Sequence, residues 1–195
     1  MRRRWLRRSA YAAGVPVTVR RAVETDADGL ARLAALTFPL ACTPQTPAAV
    51  MTSYIASRLD PGSFRRHLTD PSCTVLLAES VHDPVGYAVL VAGEPVDPDV
   101  AGVVRRRPTV ELMRFYVHPD HHGSGTADLL MEHTLTAAGA MQAAGVWLGT
   151  SEENGRANAF YARHGFEAVG LKRFLLGDVW EDDIVRERPL DAPPP

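Results

Sequence analysis

The stretch Glu111-Leu-Met-Arg-Phe-Tyr-Val-His-Pro-Asp-His-His-Gly-Ser-Gly-Thr-Ala-Asp-Leu-Leu130 decides the fold. Met113, Phe115 and Val117 alternate with Arg114 and Tyr116, the period of two that marks a strand over 110–117. His118-Pro119 stops it, because proline has no N–H to offer the ladder. Gly123 and Gly125 let the backbone pass close to a ligand with no Cβ in the way. From Ala127, apolar or small residues fall at 127, 130, 131, 134, 135 and 138, the spacing of one helix face. Strand, glycine-rich turn and helix N-terminus in this order make an anion site, where free N–H groups and the positive end of the helix dipole converge. A phosphate suits it; an ordinary tight turn before a helix is the alternative.

Spacing narrows the choice. The Walker pattern of glycine, four residues, then Gly-Lys-Ser/Thr is absent, and the dinucleotide fingerprint lacks its third glycine and would stand near the first strand. What remains is His122-Gly123-Ser124-Gly125-Thr126-Ala127.

Working outward, residues 15–22 read as a first strand, and Thr25 and Asp26 offer cap oxygens to a helix reaching Thr37. Thr46-Pro47 starts a second helix, with Val50, Met51, Tyr54, Ile55 and Arg58 on one face; Pro61-Gly62 ends it and 63–68 forms a short third. Strands over 73–79 and 85–91 make a hairpin, followed by a loop over 93–108 whose Arg105, Arg106 and Arg107 read as a solvated tip. Gly145 closes the helix that began at Ala127, and Val146 to Thr150 is a strand parallel to 110–117. Ala157, Phe160, Tyr161 and His164 share a helical face capped by Gly165, and strands over 166–169 and 183–188 complete the order β-α-α-α-β-β-β-α-β-α-β-β. That is one α/β domain over 15–190 with a mixed sheet of seven strands.

The 195 residues carry a net charge of −2, which argues against a general nucleic-acid footprint. No apolar run approaches the ~18 residues of a membrane span. Cys42 and Cys73 form no C-x-x-C pair, so neither a disulfide framework nor a metal site follows, and a reducing, cytoplasmic setting is expected. Residues 1–14, with Arg2, Arg3, Arg4, Arg7 and Arg8 around Trp5 and Leu6, read as a disordered basic tail, and 191–195 as a flexible one.

The segment Asn154-x-x-Ala157-x-x-Phe160-Tyr161-x-x-x-Gly165-Phe166 and the loop at 122–127 together resemble the two hallmarks of the GNAT superfamily of N-acetyltransferases. Histidine at 122 departs from the usual arginine or glutamine. Trp147-Leu148-Gly149-Thr150, Leu176-Gly177-Asp178 with Asp183-Ile184, the Thr37-Phe38 break and Thr46-Pro47 resemble the PaiA-type polyamine acetyltransferases. The resemblance implies a GNAT fold, mostly antiparallel with a splayed central parallel pair, and direct attack of an amine on acetyl-CoA without a metal. It implies that His122, Gly123, Ser124, Gly125, Thr126 and Ala127 hold the pyrophosphate, that Phe115, Tyr116 and Val117 present backbone to the pantetheine, that Asn154 hydrogen-bonds it and that Arg163 reaches the 3′-phosphate.

It also implies Tyr161 as the acid toward the leaving thiolate. Glu111 is the candidate base, sharing a face with Met113 and Phe115 in a regular strand, whereas a bulge of the kind the family often has there would turn it elsewhere; Glu152 and Glu153 are alternatives. The fifth-strand glutamate of many branches falls near Gly149 here and is missing. Asp178, Glu181, Asp182 and Asp183 are acidic groups that a polyamine acceptor needs. A small amine or polyamine is the expected substrate. A protein acetyltransferase and an acyl-CoA-binding module without turnover are the alternatives, and a homodimer is an option common in the superfamily.

Overall fold

A computed structural model describes residues 16–43, 45–176 and 179–190; both expected tails and Gly177-Asp178 lie outside the described residues. Seven strands form one sheet in the order β1-β2-β3-β4-β5-β7-β6. They are β1 (Val17–Arg21), β2 (Cys73–Ser80), β3 (Asp83–Ala92), β4 (Thr109–Val117), β5 (Gly145–Ser151), β6 (Glu167–Leu176) and β7 (Val179–Pro189). The helices are α1 (Ala27–Thr37), α2 (Ala48–Arg58), α3 (Pro61–Thr69), α4 (Pro98–Ala101), α5 (Thr126–Ala140) and α6 (Gly155–Arg163). All neighbouring strands run antiparallel except β4 and β5. This is the mixed seven-stranded sheet read from the sequence.

The sheet is covered on both faces. Leu76, Ala88, Leu90, Val110, Leu112 and Leu148 pack under Leu130 and Met131 of α5 and Tyr161 of α6. Val75, Leu77, Tyr87 and Val89 pack on the other face against Leu30 and Leu33 of α1 and Phe64 of α3. Successive residues of β2 and β3 therefore enter different cores, which is why both strands read as continuous apolar runs. A smaller cluster joins Val100 and Val104 to Trp147 and Val185. Among the described residues, no helix is long and apolar enough to cross a membrane.

Several local readings change. Pro61 does not end α2; it is the first residue of α3, whose cap Asp60 accepts from Ser63 N and Gly62 N, the N1 position where proline loses no bond. The residue at the N-cap of α2 is Pro47 rather than Thr46, with no side-chain cap. The loop over 93–108 contains α4, and although the three arginine side chains are exposed, the N–H groups of Arg105 and Arg106 donate to the buried Glu187 carboxylate at 2.9 and 2.7 Å.

Gly145 does not close α5. The chain turns at Gln142, whose φ is 59°, while Gly145 opens β5 opposite Thr109. Glycine is needed there for space: a Cβ would meet Arg106 Cβ at 2.5 Å, Arg106 Cγ at 2.7 Å and Arg188 O at 3.2 Å. Gly145→Ala is expected to cost about 1–3 kcal/mol through forced displacement, seen as a fall in Tm of roughly 2–10 °C by circular dichroism. An unchanged Tm would show that Arg106 moves aside freely.

Candidate active site

β4 and β5 pair over three positions only, Thr109 with Gly145, Val110 with Val146 and Glu111 with Trp147. Beyond these the strands part, and a cleft of about 560 Å³ opens between residues 112–117 and 149–151. The loop before α5 and one face of α6 line one end, and Phe38, Tyr54 and Leu59 line the other.

The loop end is built for an anion. Gly123 (φ 76°) and Gly125 (φ 87°) adopt the left-handed conformation, and a Cβ on either would project into open space. The backbone N–H groups of Gly123, Gly125 and Ala127 have no acceptor among the described residues, and all three residues line the cleft. Donors, dipole and room therefore coincide, as a pyrophosphate requires. Ser124 and Thr126 serve differently. Ser124 Oγ donates to His121 O at 2.8 Å and lies 2.8 Å from Thr126 Oγ1, and Thr126 is buried, so both hydroxyls brace the loop from beneath.

His122 lies at the departure from the family motif. Its Nε2–H donates to Val117 O at 3.0 Å, leaving Nδ1 to accept from Arg156 Nη1 at 2.8 Å. Arg156, unremarked in the sequence, is thereby held at the loop from the first turn of α6 and lines the cleft. Arg163 stacks on Phe160, 5.3 Å from the ring centre, with its Nη2 3.6 Å from Asp128 Oδ1. His164 Nε2 lies 2.9 Å from the same carboxylate, so Asp128 beside the loop has two partners on α6 and its C-cap.

Asn154 is committed in part. Its Oδ1 caps α6 by accepting from Ala157 N at 3.0 Å, which uses neither amide hydrogen, and the residue lines the cleft. Asn158, also missed by the sequence reading, donates to Ser151 O at 2.9 Å and accepts from Arg186 Nε at 3.0 Å, tying α6 to β5 and β7. Phe115 packs against Phe160 at 5.4 Å and Tyr161 at 6.4 Å between ring centres. Tyr161 is buried, and its hydroxyl has no hydrogen-bond partner among the described residues while the residue lines the cleft. Burial pushes its phenol well above the ordinary tyrosine range. Tyr116 is shifted upward for the same reason and stacks on Tyr87 at 5.5 Å.

Glu111 is where the strand reading fails. The register with β3 slips, so that Leu90 pairs Leu112 but Val89 pairs Arg114, leaving Met113 as the extra residue of a bulge. Val110, Leu112, Phe115 and Val117 all enter the α5 core. Glu111 therefore does not share a face with Phe115; it lies with Arg114 and Tyr116 on the opposite side, and still lines the cleft. Burial raises the pKa of its carboxyl, opposed by the charges of Lys172 and Arg114. Arg114 is fixed under α3: Nη1 lies 2.8 Å from His67 Nε2, Nη2 donates to Arg58 O at 3.0 Å, and the guanidinium lies 5.8 Å from the Phe64 ring centre. Glu152 and Glu153 are exposed and outside this cleft. Of the acidic hairpin, Asp183 lines it and Asp182 does not, while Asp178 and the Glu181 side chain lie outside the described residues.

Residues 41–166 match the Acetyltransferase (GNAT) family model. An uncharacterized N-acetyltransferase of Mycobacterium tuberculosis (strain ATCC 25618 / H37Rv) is 40% identical over 166 residues, 85% of this chain and 99% of the relative. A Mycobacterium bovis N-acetyltransferase matches to the same extent, 40% over 166 residues. Among solved structures, the PaiA N-acetyltransferase of Thermoplasma acidophilum in complex with coenzyme A has a TM-score of 0.70 at 14% identity, covering 89% of this chain and 99% of that one. The structure of yncA from Salmonella typhimurium with its cofactor acetyl-CoA has a TM-score of 0.59 at 22% identity, covering 90% and 94%. With the family model spanning the splayed strands, the glycine loop and α6, this chain belongs to the GNAT family and is an acetyltransferase.

Proposed function

We propose that the protein transfers acetyl from acetyl-CoA to the primary amine of a small molecule by direct attack. The observation that carries this reading is the convergence, in one cleft, of an anion-binding loop, a buried phenol and a half-buried carboxylate. Gly123, Gly125 and Ala127 would hold the pyrophosphate through backbone N–H groups, with Ser124 and Thr126 shaping the loop. Arg156, held by His122, would supply the positive charge that arginine provides at the first motif position in relatives. Arg163 would reach the 3′-phosphate, Asn154 would donate to the pantetheine, and the β4 edge at Phe115, Tyr116 and Val117, on which His122 already holds Val117 O, would pair with its amides.

In the chemical step the amine nitrogen attacks the thioester carbonyl carbon. A β4 N–H receives the oxyanion, the C–S bond breaks, and Tyr161 donates to the departing sulfur. The phenol holds its proton because it is buried, and so keeps it available for the sulfur as charge develops there. Glu111 receives the ammonium proton, directly or through a water. Its raised pKa suits a base, since burial makes the carboxylate a better proton acceptor. Holding both substrates in the cleft lowers the barrier by up to ~7–11 kcal/mol. Polyamines, suggested by the 147–154 resemblance, belong in the acceptor panel.

The deciding experiment is thiol release from acetyl-CoA against a panel of small amines, amino acids, polyamines and lysine peptides, with the acetylated product identified by mass. Turnover with peptides alone would overturn the small-molecule reading; tight acetyl-CoA binding with no turnover would overturn transfer.

Three variants test the roles. Tyr161→Phe is expected to lower kcat roughly 10²–10⁴-fold with acetyl-CoA affinity nearly unchanged; equal turnover would remove it as the acid. The base works only when ionised, so kcat/KM should fall as pH drops through a midpoint displaced above the ordinary carboxylate range, and Glu111→Gln should abolish that limb. A limb that survives would assign the base elsewhere. Arg156→Ala should raise KM for acetyl-CoA about tenfold while sparing KM for the amine, the loss of one charge-assisted contact of ~1.5–3 kcal/mol at the low end; an unchanged KM would leave the backbone as the sole anion grip.

A further inference from the structure

The acceptor end of the cleft holds a cation against a strand position that has no side chain. Position 149 in β5 is glycine, and its empty flank is covered from the neighbouring hairpin. A Cβ there would run into Lys172 Cε, would lie 2.9 Å from Lys172 Nζ and 3.1 Å from Asp183 Oδ2. The lysine stem thus crosses the floor of the cleft, and its Nζ stands 5.7 Å from the centre of the Trp147 ring. Lys172 and Gly149 both line the cleft. Lys172 forms no ion pair among the described residues. Arg114 adds a second positive charge to the same wall, with two of its five N–H donors directed to His67 and Arg58. Glu111 and Asp183 are the carboxylates at this end, and Phe38, Tyr54, Leu59 and Tyr116 supply an apolar remainder.

Such a surface disfavours a polycation. A second ammonium on the acceptor would meet Lys172 in a partly desolvated site, where like charges cost far more than in water. A zwitterion fits both signs. Building on the transfer reading above, we infer that the acceptor is a primary amine that also carries a carboxylate: its amino group lies toward Glu111, its carboxylate is received by Lys172, and its apolar body rests on the aromatic wall. Lys172 is then the residue that sets acceptor charge. The ammonium is a compact donor on a flexible stem, already laid along β5 by the missing side chain at 149, so little ordering remains when the anion arrives.

The test uses matched probes whose amines differ little in basicity: 4-aminobutyrate and 4-(aminomethyl)benzoate against the corresponding amides, with spermidine as the cationic arm. Calorimetric binding to the CoA-loaded protein and kcat/KM for acetylation are both measured. The carboxylates should bind at least tenfold tighter than the amides. Lys172→Met should erase that preference, Lys172→Arg should retain most of it, and CoA affinity should be the same in all three proteins. Equal binding of carboxylate and amide, preference for spermidine, or a preference that survives Lys172→Met would each overturn the inference; if acetylation is still seen, transfer itself stands. A carboxylate preference without acetylation would uphold Lys172 as the anion site and overturn the transfer reading.

Discussion

Parallel pairing between β4 and β5 stops after three residues, and the site depends on that stop. A fully zipped pair would leave no gap for a thioester and no free ladder edge to grip it. Two features hold the strands apart. The bulge at Met113 turns β4 as it leaves β5, and the aromatic contacts of Phe115 with Phe160 and Tyr161 fill the opening from the α6 side. Below the gap, Glu187 fastens the backbone at 105–106 to β7, and Gly145 admits Arg106 close against β5. The closed end of the fork is therefore rigid, while the open end is lined by groups that still have bonds to make.

The two ends of the cleft are assembled differently. Most of the cofactor side comes from a continuous segment, residues 115–163, in which strand, loop and helices are consecutive. The acceptor side is drawn from α1, α2, β4 and the β6–β7 hairpin, which are distant in sequence. This division explains what could be read in advance. The glycine turn, the α5 stripe and the helix after Asn154 are local patterns set by neighbours a few residues away, and the structure forms the turn, the buried stripe and the helix at those positions. The order of seven strands was equally legible.

What escaped the reading is long-range. Gly145 follows a helix and so looked like its cap, but the reason for glycine is Arg106, thirty-nine positions earlier (145 − 106). Pro61 looked like a terminator because a helix precedes it, yet Asp60 before it is a cap that starts the next one. A regular strand would put Glu111 beside Phe115 and a bulge would turn it away, and only pairing with β3 decides between them. His122 looked like a weakened motif; its partner Arg156 is thirty-four residues away. Lys172 carried no local signal at all, because its neighbour Gly149 is defined by the absence of a side chain.

The bulges in β4 and β6 have a consequence for how this fold tolerates change. In β6, Ala168 pairs Arg186 and Gly170 pairs Val185, so Val169 is supernumerary, just as Met113 is in β4. Each extra residue acts as a phase shift: positions of the same parity before and after it face opposite sides of the sheet. That lets β6 begin beside Phe166 in the α5 core and then lay Lys172 on the other face, and lets β4 bury Leu112 and Phe115 together while Glu111 and Arg114 share the cleft. Losing a single residue on either side of these points would exchange whole faces at once. In evolutionary terms, insertions and deletions in β4 and β6 are shifts of frame, and they constrain this site more tightly than most substitutions do.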